Sequence, residues 1–281
     1  MILSIWGCLP NAKQNGKKVI SVSILPQKYF VERIAGDDFD VNVLIPPGAS
    51  PATYEPTPRQ MKDFSRSVIY FRVGHIPFEK AWLEKLTSGA KGVKVVDLSQ
   101  GFELLRGPAH VHGDHVHQGG IDPHIWTSPS AVRHMTGGLL KELIAENPQK
   151  KETYENNYKL FMNDISVLND MAHKAFTGLK NRCFMIYHPA MSYFARDYDL
   201  KQIPIELEGK DPSPMHMKNV ISQAKQMGIR VIFVQKQFSD ENAQAVAREI
   251  DGQVQTIDPL SEDWLKEMHR IVSVFSSSLN H

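Results

Sequence analysis

Three features of the sequence predict an α/β fold of two similar lobes, each with a mostly parallel sheet, joined by one long helix. Short β-branched and aromatic runs alternate with helical patterns up to residue 147, one long apolar stripe follows, and the alternation then resumes. The chain has 281 residues, 42% of them hydrophobic, which suits two domains of roughly 100 to 150 residues and excludes disorder as the main state. The expected divisions are 1–18 as leader and tether, 19–147 as the N-terminal lobe, 148–178 as the linker helix, and 179–281 as the C-terminal lobe.

In the first lobe, 19–25 reads as a strand and 27–35 as the helix after it. Residues 41–45 form a second strand that ends at the turn-rich PPGASPATYEPTP. A short helix over 59–65, a buried strand over 68–73, a helix over 78–86 and a strand over 93–97 follow. Strands separated by helices imply a parallel sheet covered on both faces, with functional loops at the carboxyl ends of the strands. The segment PAHVHGDHVHQG, between Gly107 and Gly120, is too polar for a core element and is expected to be a mobile loop. IDPHIWTSPSAV then leads into a helix over 131–145.

Beyond Pro148, Tyr154, Tyr158, Phe161, Ile165, Leu168, Ala172 and Ala175 recur at spacings of three and four, one apolar face of a helix that stops near Gly178. At about 1.5 Å per residue such a helix is about 40 Å long, enough to run across both lobes and limit their swing. The second lobe is expected to hold strands at 183–187, 202–207, 231–234 and 254–257, with helices at 191–198, 214–227, 241–250 and 263–279. Two α/β lobes joined in this way leave a cleft, the usual place for a ligand pocket.

Charge excludes one class of partner. Lys and Arg total 32 against 31 for Asp and Glu, a net charge of +1 that gives no reason to expect nucleic acid. The only cysteines are Cys8 and Cys183, so a disulfide framework is not expected, and no later stretch is apolar enough for a membrane span. The opening MILSIWGCLPNAKQNGKK resembles the end of a bacterial lipoprotein signal, with Cys8 as the lipidated residue; the alternative is an incidental cysteine in an unstructured start.

Twelve histidines are present, and three of them, His75, His124 and His188, fall at strand ends or in loops leading to helices. Neutral imidazole is a good ligand for zinc and related ions, since its ring nitrogen donates without carrying a charge. His134, His173, His216 and His269 lie in expected helices and read as ordinary structural residues.

Four motifs, VLIPPGASPATYEPTP (43–58), DPHIWTSP (122–129), YHPAMSYFARDY (187–198) and IDPLSEDW (257–264), occur in order, and with them the chain from about Val19 onward resembles the zinc and manganese solute-binding proteins of ABC transporters. The resemblance implies two α/β lobes bridged by a long helix, an extracytoplasmic location, and delivery of a metal ion to a membrane permease. By motif position it implies His124, His188 and Asp258 as metal ligands. A further family histidine is missing, because Ala52 stands where the pattern has Pro-His-Thr-Tyr. His75, from the neighbouring strand end, is the preferred replacement, with Glu55 or water as alternatives. Three histidines and a carboxylate favour zinc over manganese, which prefers more oxygen.

The run HVHGDHVH (110–117), with Asp114, raises the local concentration of donors and reads either as a weak capture site or as an exposed polar loop. Glu206, Glu208 and Asp211 are candidate cleft residues that orient a histidine from behind. A zinc-dependent hydrolase is the rival class, but no HExxH and no G-x-S-x-G turn is present, and the expectation is a monomeric binding protein rather than an enzyme.

Overall fold

The computed structural model describes residues 16–107, 110–112, 115–117, 119–206 and 212–280. The expectations placed on Cys8, Asp114, Glu208 and Asp211 lie outside the described residues.

Strands β1 (Lys18–Val22), β2 (Phe39–Val43), β3 (Ser67–Arg72) and β4 (Lys94–Asp97) form a wholly parallel sheet in the order β2-β1-β3-β4. Helices α1 (Leu25–Ala35), α2 (Pro58–Phe64) and α3 (Pro77–Ser88) connect them. Each of these helices opens with a proline in its first turn, where a backbone N–H would have no partner within the helix. Thr57 and Gln60 form a capping box at α2, and the buried Gln27 of α1 accepts from Ser23 N and Ile24 N while donating to the Phe71 carbonyl, which ties the ends of β1 and β3 together.

His110–His112 and His115–His117 are strands β5 and β6 of an antiparallel hairpin. A mobile loop was expected over these residues; the two His-Val-His repeats instead set up a ladder, with Val111 opposite Val116.

Helices α4 (Pro129–Glu146) and α5 (Lys151–Phe176) follow, with a single 3-10 turn at Pro148–Lys150 between them. The buried stripe of α5 contains Tyr154, Phe161, Ile165, Leu168 and Ala172 as expected. It ends on Phe176, while Ala175 is only half-buried.

The second lobe comprises β7 (Cys183–Ile186), α6 (Ser192–Asp197), β8 (Lys201–Pro204), α7 (Pro214–Gln226), β9 (Val231–Gln235), α8 (Glu241–Glu249), β10 (Gln253–Ile257) and α9 (Trp264–Leu279). Its sheet is parallel in the order β10-β9-β7-β8. Counted within its own lobe, each sheet therefore runs second, first, third, fourth. The order reverses beside the first strand of each lobe, and a crevice outside the carboxyl ends of the strands at such a reversal is the preferred ligand position in open α/β sheets.

Period-two alternation splits the second sheet between two cores. Phe184, Ile186 and Phe233 face α9 and join a continuous core that includes Ile20, Phe30, Phe161 and Phe275. Met185, Ile232 and Val234 face the opposite way, onto Val220, Ala224, Ala243 and Val246 of α7 and α8. α5 packs on α1, α4 and α9, so linker and lobes share one interior. Among the described residues no helix is long and apolar enough to cross a membrane.

Candidate metal centre

A cavity of about 190 Å³ opens between the lobes. Its walls are loops that follow strand ends: Ser50, Pro51 and Ala52 after β2, Ile76 and Pro77 after β3, His188 and Ala190 after β7, Gln237 and Phe238 after β9, and Pro259 and Leu260 after β10. Pro123, His124 and Trp126 complete it, just before α4.

His124 and His188 meet across the cleft with their Nε2 atoms 3.1 Å apart. Each ring is held from behind by a carboxylate. His124 Nδ1 lies 2.8 Å from Asp122 Oδ1, which also accepts the His124 backbone N–H at 2.9 Å. His188 Nδ1 lies 2.7 Å from Oε1 of Glu206, whose side chain is only 5% exposed. An ionised carboxylate only accepts, so each ring donates from Nδ1 to its carboxylate and turns Nε2 to the cleft.

Strand pairing places these partners. Glu206 N donates to the Tyr187 carbonyl, setting the end of β8 beside the end of β7, and the His216 ring holds the Ile205 carbonyl from α7. Gln235, buried at the end of β9, clamps the His188 backbone from both sides: its Oε1 accepts the His188 N–H at 3.3 Å and its Nε2 donates to the His188 carbonyl. The His188 ring stacks on Phe238 at 5.0 Å and 21°. On the other side, Tyr193 of α6 donates to the Asp122 carbonyl at 2.7 Å, a cross-lobe support for the His124 turn.

Burial holds the His188 ring below the ordinary imidazole pKa, against the opposing pull of Glu206. Burial works against the ionisation of Asp122, yet the neighbouring His124 ring and backbone N–H hold its carboxyl below the usual range. The first effect favours a neutral His188 imidazole, the state in which a histidine ligates a metal, and the second an ionised carboxylate behind His124.

His124 and His188 are thus brought together, and His75 and Asp258 do not join them. The cavity wall on the β3–α3 loop is formed by Ile76 and Pro77, not by His75. Two contacts fix that loop. Buried Glu79 accepts from Val73 N and Gly74 N at 2.7 Å each, and Gly74, at φ +130°, sits so close to Ser99 that a Cβ would lie 2.3 Å from its Oγ. His75 is half-buried in the field of Asp97, and burial lowers its pKa. The Asp258 carboxylate accepts from Gln237 Nε2 at 2.9 Å and lies 3.9 Å from Lys236 Nζ, while Pro259 and Leu260 beyond it reach the cavity. Ala52 lines the cavity with a methyl group. Glu55 is exposed and does not line it. Among the described residues, no group of three or more His, Cys, Asp or Glu side chains is arranged to hold a metal.

Sequence reasoning pointed to Glu206 as a histidine-orienting carboxylate but passed over Asp122 and Gln235. Asp122 had a readable signal, a carboxylate two residues before a histidine across a proline. Gln235 had none beyond its place at a strand end.

Two parallel-sheet lobes that meet over a pair of carboxylate-backed imidazoles define a bilobal receptor of the solute-binding class. The chain belongs to the ZnuA family, described as "Zinc-uptake complex component A periplasmic", whose model matches residues 20–277. It is similar to the zinc-binding lipoprotein AdcA of Streptococcus pneumoniae serotype 4, at 27% identity over 289 residues that take in 99% of this chain and 57% of AdcA; it spans little more than half the length of that relative. The high-affinity zinc uptake system protein ZnuA of Bacillus subtilis is 26% identical over 260 residues, covering 89% of this chain and 81% of that protein. A crystal structure of ZnuA superposes with a TM-score of 0.85 at 37% identity, over 93% of this chain and 99% of the other.

Proposed function

We propose that this protein is an extracytoplasmic receptor that binds a transition-metal ion, zinc by preference, in the cleft between its lobes and delivers it to the permease of an ABC transporter. The observation that carries this reading is the His124–His188 pair. Two nitrogens each about 2.05 Å from a tetrahedral zinc lie about 3.3 Å apart, and the two Nε2 atoms are already 3.1 Å apart in the cleft. In the family, an uptake-complex component, the task is that of a carrier rather than of a catalyst.

His124 and His188 are the primary ligands in this reading. Asp258 is the third, reaching the ion by exchanging its bond to Gln237 for one to the metal. His75 is the least supported of the expected ligands, because Glu79 and the tight Gly74 approach hold its loop with Ile76 and Pro77 towards the cleft. Imidazole donors favour zinc over manganese, and a competition titration between the two ions tests that preference. Lipid anchoring through Cys8 and weak capture at the 110–117 hairpin are further parts of the proposal, tested by mass spectrometry of membrane-extracted protein and by deletion of the hairpin.

The principal test is a zinc titration of metal-stripped protein, wild type against His124→Ala and His188→Ala. Each variant is expected to lose more affinity than the roughly 10- to 100-fold that follows loss of an outer partner. Wild-type affinity in both would place the metal elsewhere.

A further inference from the structure

We infer that the receptor takes its zinc together with a small neutral co-ligand of the imidazole class, which occupies the space beside Ala52 and supplies the nitrogen that the chain itself lacks there. This inference rests on the metal-binding reading above and adds the chemical identity of a second occupant of the site.

The first observation is a shortage of donors. Zinc in a protein site takes four ligands, whereas two histidines converge and, among the described residues, no third His, Cys, Asp or Glu side chain stands with them, Asp258 being the further ligand only in the reading above. Ala52 lines the same cavity as the histidine pair and presents only a methyl group to it.

Cavity shape and lining are the second. At about 190 Å³ it is larger than the roughly 150 Å³ chamber known to admit a benzene ring. Beside the histidine pair its surfaces are mostly apolar, with Pro51, Ala52, Ile76, Pro77, Trp126 and Phe238; of the polar lining residues, Gln235 and Gln237 already spend their amides on His188 and Asp258, which leaves Ser50. A water molecule needs two to four polar partners to be well held, and these walls offer few. A flat ring with one donor nitrogen matches them: its edge meets the metal and its faces meet proline, isoleucine and aromatic carbon.

Charge decides the class of donor. Asp122 and Glu206 stand directly behind the two histidines, and Asp258 adds a third carboxylate. Two carboxylates already neutralise a dication, so an anionic co-ligand such as citrate would bring surplus negative charge into a poorly hydrated space. A neutral nitrogen donor brings none.

Zinc chloride titrations of metal-stripped protein, with and without imidazole, test the inference. Imidazole complexes zinc in solution, so a protein that does not bind it must show a lower apparent affinity in its presence. For the wild type the opposite is expected, a rise of about tenfold or more, the scale set by one well-held group at a metal site. Ala52→His should bind zinc more tightly without imidazole and lose affinity when imidazole is added. Equilibrium dialysis of the zinc-loaded wild type should retain one imidazole per zinc, a readout independent of whether the variant folds. A wild-type affinity that falls with imidazole, with none retained, would overturn the co-ligand. Absence of zinc binding by wild type and folded Ala52→His, with and without imidazole, would instead overturn the metal-binding reading beneath it.

Discussion

The indole N–H of Trp264 donates to the backbone carbonyl of Trp126 at 2.8 Å, and the Trp126 indole in turn donates to the Pro259 carbonyl at 3.0 Å. The two tryptophans form a reciprocal tie between the turn that carries His124 and the loop that carries Asp258. Trp264 also packs edge-on against Phe30 at 5.2 Å, so the tie is seated in the core of the first lobe. Trp264→Phe keeps most of the packing and leaves the buried Trp126 carbonyl unpaired, at an expected cost of about 1–3 kcal/mol. A denaturant midpoint equal to wild type would show that the tie contributes nothing to stability.

Asp122→Asn and Glu206→Gln keep shape and remove charge behind each imidazole. The ring in front then faces an amide, which can accept or donate and no longer fixes the proton on Nδ1 by charge, and zinc affinity is expected to fall by about 10- to 100-fold in either variant. Unchanged affinity, with circular dichroism showing an intact fold, would make these carboxylates bystanders.

Zinc binding needs His188 neutral. Because burial lowers its pKa from the ordinary value of 6.5, the ring stays neutral until the pH falls below that value. Affinity should therefore be level above pH 6.5 and decline only below it. The same depression makes an unfolded chain bind more protons than the folded one in that window, so apo-protein stability should rise with pH up to about 6.5 from this group. A decline in affinity that begins well above pH 7 would contradict a lowered His188 pKa.

Glu79 behaves oppositely. Its burial pushes the carboxyl from 4.5 up to about 7, so between those values the folded state holds a proton that the unfolded state has released. Stability is then lost as pH rises through this window and levels off above 7, an effect of roughly 3 kcal/mol at about 1.4 kcal/mol per unit. Glu79→Gln should abolish this slope between pH 5 and 8. An identical slope in the variant would assign it to other groups.

His75→Ala is expected to leave zinc affinity within about threefold of wild type, well short of the loss that follows removal of even an outer partner. A loss as large as that of His124→Ala would bring His75 back among the ligands and require the 73–77 loop to rearrange on binding.

Much of this was legible in the sequence because it rests on local periodicity. The alternation of short apolar runs with amphipathic stretches marks strands and helices, and the three-four spacing from Tyr154 to Ala172 marks the linker. His124 and His188 were readable because each sits in a motif beside a strand end or helix start. What could not be read depends on side-chain partners far apart in the chain. Nothing near Gly74 announces that Ser99 crowds it and that Glu79 fixes its N–H. Nothing near Asp258 announces that Gln237 occupies its carboxylate. The hairpin at 110–117 was obscured by its composition, since histidine-rich polar runs resemble loops even when a ladder forms.

The order in which this interior is made has a consequence for synthesis. Phe30 of the first lobe and Phe161 of the linker are covered partly by Trp264, on the 16-residue helix α9. A nascent first lobe leaves the ribosome with a greasy flank that its own residues cannot cover, and it stays so until α9 arrives. Folding of the early half is thus completed by the late one, and a chain stalled before α9 would offer chaperones and proteases an open seam.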